Sequence, residues 1–68
     1  MPRFYFVIRW HEMTRDDPHG TELPNNTAAL DFALRTVRKL KQGGIYEEPG
    51  ILLIVRNEAG EQIFAIPF

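Results

Sequence analysis

Sixty-eight residues allow one small domain, and a chain of that length buries only about 60% of the surface it exposes when unfolded. The absence of cysteine excludes disulfides and thiolate metal sites, and a net charge of −1 gives no global attraction to nucleic acid or anionic membrane. With 44% apolar and 25% charged residues, the composition is that of a folded domain rather than a disordered segment.

The first element read along the chain is "RFYFVIRW", residues 3–10, whose aromatic and β-branched residues alternate as in a strand. Phe4, Phe6, Ile8 and Trp10 fall on one face, and Tyr5, Val7 and Arg9 on the other. A polar stretch follows. In it, Asp17-Pro18-His19-Gly20 fits a type I turn, with Asp first, Pro second and Gly fourth. "TEL" (21–23) returns as a short strand that Pro24 ends, because proline has no amide to give to a ladder. Asn25 or Asn26 then caps a helix. Ala29, Leu30, Ala33, Leu34, Val37 and Leu40 cover one stripe of it, and Phe32 falls off that stripe. Asp31 and Arg35 form a supporting pair four residues apart. Gly43 is placed to end the helix in the left-handed conformation.

Pro49-Gly50 suits the middle of a type II turn. The final third reads as a hairpin, "ILLIVR" (51–56) and "QIFAIPF" (62–68) around "NEAG" (57–60). Asn57 starts its turn, and Gly60 takes the positive φ of a bulge residue. The expected fold is therefore α+β, in the order β-β-α-β-β: a four-stranded, mostly antiparallel sheet with one helix on one face, forming a single domain over 1–68.

Four strands at about 4.8 Å make a sheet roughly 19 Å wide, and one helix about 10 Å across covers one face of it. The strands are nevertheless apolar on both faces, which is the pattern of two-sided burial. Leaving several such side chains wet would forgo about 1.5–3 kcal/mol each, against a total stability of about 5–15 kcal/mol. A homodimer is the first expectation and a different protein partner the second. Tyr5, Val7, Ile54, Ile63 and Phe68 are the candidate interface residues.

Three blocks, "MPRFYF", "DPHGTELPNNTAALDFALR" and "VRNEAGEQIFAIPF", resemble a small bacterial family that is a domain of unknown function. Its members open Met-Pro-Arg-aromatic, continue with Asp-x-x-Gly-x-Glu-Leu-Pro and an alanine-rich helix, and close on a hairpin ending in Pro-Phe. Asp17, Gly20, Glu22, Leu23 and Pro24 fill the middle pattern, and Asn57 stands where the family usually has aspartate. The resemblance spans nearly the whole chain and implies one domain and a bacterial origin, but no activity. A looser architectural similarity links the chain to antitoxins of the HicB type, without diagnostic residues.

The candidate sites divide by chemistry. His11, Glu12, Asp16, Asp17 and His19 could supply a divalent metal site or a general base. No His-Glu-x-x-His spacing or Asp-x-Asp calcium loop is present, however, and the turn explains Asp17, Pro18 and Gly20. His11, Asp17 and His19 stay as weak metal candidates, and no metal or cofactor is expected. Arg35, Arg38, Lys39 and Lys41 hold half of the eight positive charges. They are candidate phosphate contacts, set against the plainer reading of a solvated helix face complementing the dipole.

With neither Ser nor Cys, the commonest nucleophiles are missing. No glycine-rich phosphate loop precedes a helix, since Gly43-Gly44 follows one. An enzyme is not expected. No apolar run approaches the ~20 residues of a membrane span. The opening is not a signal peptide, since Arg3 and Arg9 break it and no small-residue cleavage site follows. The Asn25-Asn26-Thr27 glycosylation match is discounted, and a cytoplasmic location is expected. The leading functional expectation is a non-enzymatic interaction or regulatory protein, the alternative a nucleic-acid-binding or antitoxin-like regulator.

Overall fold

The computed structural model describes residues 1–44 and 50–68. The chain runs β1 (Arg3–Trp10), β2 (Met13–Arg15), β3 (Thr21–Glu22), α1 (Asn26–Gln42), β4 (Leu52–Arg56) and β5 (Gln62–Pro67). All strand pairings are antiparallel, in the order β2-β1-β4-β5, with β3 also pairing with β1. This is the expected α+β arrangement with one strand more. The added strand, β2, forms inside the polar stretch that the sequence pattern reads only as turn. Its Met13, Thr14 and Arg15 are all exposed, so no apolar alternation marked it.

The helix begins where expected, with the Asn25 carboxamide oxygen accepting from the Ala28 N–H at 2.8 Å. Its end differs. Gly43 is right-handed (φ −74°), and the positive φ of 72° falls on Gly44, one residue later. The β4–β5 hairpin follows its sequence signals. The Gly60 N–H donates to the Asn57 carbonyl at 3.0 Å, and Gly60 has φ 82°. The Asn57 side chain accepts from the N–H groups of Ala59 and Glu61. Gly50 has the positive φ that the third position of a type II turn requires, whereas Pro49 lies outside the described residues.

The core lies between the helix and one sheet face. Phe4 and Ile8 of β1 and Leu53 and Val55 of β4 meet Ala29, Ala33 and Val37 of α1, together with Ile51. Ala29 and Ala33 are fully buried, and their small size lets the helix approach the sheet closely. The stripe is narrower than the six-residue pattern. Leu34 and Phe32 each stand one residue, or 100°, from Ala33, and they are 48% and 37% exposed. Phe32 is not idle off the stripe, since its ring lies 4.8 Å from that of Phe6.

Two details of β5 affect its role. Val55 pairs with Phe64 and Arg56 with Gln62, so Ile63 is the extra residue of a bulge. At the other end, the Phe68 N–H donates to the Ile51 carbonyl at 3.0 Å. By the two-residue alternation of a strand, the amides of Ile66 and Phe64 also turn toward β4, and positions 65 and 67 face outward. Pro67 thus stands where its missing N–H would lie on the open edge, a device that discourages edge-to-edge pairing.

Candidate functional site

The sheet face away from the helix is built from cross-strand pairs. Arg9 lies between Thr14 and Leu52, Val7 faces Ile54, and Tyr5 faces Arg56. Ile54 continues to Ala65 on β5. Three apolar residues, Val7, Ile54 and Ala65, therefore form the middle row of the face, and an arginine marks each end. Val7 and Ile54 are only 6% and 2% exposed, although no helix covers them. Tyr5, Arg9 and Arg56 stand beside them, and side chains of these types lay apolar stems along a surface while keeping polar ends in water.

Two walls rise from this floor, one at Thr14, Asp16 and Asp17 and the other at the hairpin tip with Asn57, Glu58 and Gly60. Together they define an open concavity of about 550 Å³. The first wall is held by Asp17. β2 pairs with residues 8–10 of β1 and β3 with residues 3–4, which leaves a gap in the ladder between them. The Asp17 carboxylate fills that gap, with Oδ2 accepting from the Phe6 N–H at 3.2 Å and Oδ1 from the Gly20 N–H at 3.1 Å. The expected turn is thus closed by the aspartate side chain.

Gly20 must be glycine here. Its φ is 68°, and a Cβ would come within 2.9 Å of the Phe4 carbonyl oxygen and of Tyr5 Cε2. Arg3 ties the same segment down, its guanidinium donating to the His19 carbonyl at 2.7 Å and to Glu22 Oε1 at 2.8 Å. The Arg3 backbone N–H donates to Glu58 Oε1, which fixes the second wall.

The five expected interface residues are divided by this geometry. Tyr5, Val7 and Ile54 share the open face, whereas Ile63 and Phe68 pack against the core cluster on the helix side. The bulge reorients Ile63, and strand alternation carries Phe68 with Phe64 and Ile66. Arg9 and Arg56 are functional candidates that the apolar pattern passed over. Alternation already set Arg9 beside Tyr5 and Val7, but the walls that make the face concave come from loops, and no periodicity announces those.

The other candidates stay apart. His11 occupies the β1–β2 turn with φ 52°, and Asp17 is engaged with backbone amides. Among the described residues, no three His, Asp or Glu side chains converge in a way that could hold a metal ion. Arg35 is paired with Asp31 at 2.9 Å. Arg38 and Lys41 flank a second hollow of about 480 Å³ along the helix with Leu34, Val37 and Gln42, and Lys39 is exposed. Among the described residues, no helix is long and apolar enough to cross a membrane.

Fold and site together define a small α+β domain with one sheet face packed and the other open, concave and lined by both charge and apolar surface. Residues 3–68 match the model of a domain of unknown function, DUF6894, and the chain belongs to that family. No curated protein and no solved structure matches the chain.

Proposed function

We propose that the chain is a non-enzymatic interaction protein of the bacterial cytoplasm, acting through protein–protein contacts of its open sheet face. One observation carries this reading. The open face is concave, and its floor combines apolar Val7 and Ile54 with Tyr5 and two arginines, a mixture suited to recognising another polypeptide. The composition supports it as well, since the chain contains neither Ser nor Cys to serve as a nucleophile.

A second copy is the occupant that chain length suggests, and a homodimer would bury further surface. Two features weigh toward a different partner. Concavities placed mouth to mouth about a two-fold axis would enclose twice the volume of one, where stable interfaces pack as densely as protein interiors. The outer strand is also edged by Pro67.

The test compares proteins retained from a lysate of the source cell by the wild type, by Tyr5→Ala/Arg9→Ala, and by Arg38→Ala/Lys39→Ala. A stoichiometric protein lost with the first variant and kept with the second is expected. Retention that depends instead on Arg38 and Lys39, and disappears with nuclease, would replace this reading with the nucleic-acid-binding, antitoxin-like one.

A further inference from the structure

We infer that the open face takes an extended, acidic peptide segment: two carboxylates four residues apart with an apolar side chain midway between them. This rests on the open face being the binding surface, and it names the class of partner.

The spacing follows from the register. Arg56 stands opposite Tyr5, four residues from Arg9 along β1, with the Val7–Ile54 pair between. At about 3.3 Å per residue the two guanidinium-bearing rows are about 13 Å apart. An extended chain laid along β1 has the same repeat, and its residues i, i+2 and i+4 point to one side. An acid–x–apolar–x–acid segment therefore matches Arg9, the apolar middle row of the face and Arg56 in turn.

The signs follow from which groups are already engaged. Asp17 accepts from two backbone N–H groups, and Glu58 accepts from the Arg3 N–H. Both carboxylates thus have acceptor positions occupied by the protein's own backbone, while their charge stays in place. Arg9 has no hydrogen-bond or ion-pair partner among the described residues, and Arg56 has only a 3.5 Å contact with the Gly60 carbonyl. Arg3 and Arg35, by contrast, are each paired with a carboxylate. The cationic donors of the face, free of carboxylate partners among the described residues, are thus two planar guanidiniums, whose geometry matches carboxylate in a two-pronged hydrogen bond.

A nucleic-acid strand fits the same cations less well. Asp16, Asp17 and Glu58 surround the concavity, so three carboxylates stand against two guanidiniums. That balance repels a continuous polyanion but admits two carboxylates placed directly on the arginines. Asp16 is the wall carboxylate without a hydrogen-bond partner among the described residues, and it opposes an acidic ligand.

The experiment titrates the ¹⁵N-labelled chain with a capped Glu-Thr-Ile-Thr-Glu peptide while amide shifts are followed by NMR. Controls are the same peptide with both Glu replaced by Gln, then by Lys, and an eight-nucleotide thymidine strand. The Glu peptide is expected to shift the amides of Val7, Arg9, Ile54 and Arg56 saturably. Arg9→Ala and Arg56→Lys are each expected to weaken it about tenfold or more, and Asp16→Asn to tighten it. The native amide spectrum of each variant verifies its fold.

Tighter binding of the Lys peptide or the thymidine strand at those amides would overturn the acidic class and leave the face as a binding surface. The Gln peptide binding as well as the Glu peptide would overturn it in the same way. No saturable shift at the face with any of the four ligands would contradict both the acidic segment and the face itself.

Discussion

Asp17 engages the Phe6 amide, which faces the gap beside β1, and the Gly20 amide of its own turn, and it is half-buried while doing so. Its role in this chain is to build a wall of the open face. A buried donor left without a partner costs about 1–3 kcal/mol, so Asp17→Ala is expected to lower unfolding stability by about that amount in urea titration. His19→Ala is expected to change it by less than about 0.5 kcal/mol, because among the described residues His19 bonds only through its backbone carbonyl, to Arg3. Equal losses from the two substitutions would contradict this division of roles. Gly20→Ala combines a left-handed backbone with a Cβ 2.9 Å from the Phe4 carbonyl oxygen, and a loss of about 2 kcal/mol or more is expected in the same titration. The sequence showed the turn but not its target. That Asp17 reaches back to Phe6, 11 residues earlier, follows from the tertiary pairing of β1 with β2 and β3, not from the local Asp-Pro-x-Gly signal.

At the scale of elements, the helix and the last hairpin were legible because their determinants are local: a capping Asn25, apolar residues at helical spacing, and Asn57 and Gly60 at a tight turn. β2 was not legible, because a three-residue exposed strand carries no alternation to read. Ile63 sits on the helix side for a related reason: a bulge shifts the alternation by one, and its position depends on the partner strand. The same dependence explains the open face. Period two set Tyr5 and Val7 on one face, while their pairing with Ile54 and the walls from the 13–20 segment and the hairpin tip are tertiary. Because those two side chains are already buried, a charge placed on either would test folding rather than association, and Tyr5 and Arg9 at the rim are the informative positions. The helix packing makes its own prediction. Ala33→Leu would force extra volume against the sheet and is expected to cost about 1–3 kcal/mol, whereas exposed Leu34→Lys is expected to stay within about 0.5 kcal/mol. For the edge, Pro67→Val restores an outward amide, and light scattering is expected to show association that grows with concentration. A strictly monomeric Pro67→Val chain would remove the protective role assigned to the proline.

At the scale of the whole molecule, a short chain without disulfides folds one helix onto one sheet face and leaves little of Val7 and Ile54 exposed on the other. The wet apolar surface that made a homodimer the first expectation is correspondingly reduced: Leu34 and Phe32 of the helix and Met1 and Met13 are the large apolar side chains left exposed among the described residues, and none lines the concavity. What the open face retains is shape and two guanidiniums without a carboxylate partner among the described residues, which serve recognition more than bulk burial. Amide hydrogen exchange on the chain alone and with the protein it retains tests this most directly. Slower exchange upon binding is expected at Thr14 to Asp17 and at Asn57 to Gly60, the two walls of the concavity. Slowing confined to the helix between Arg35 and Lys41, with both walls unchanged, would contradict the assignment of the open sheet face as the binding surface.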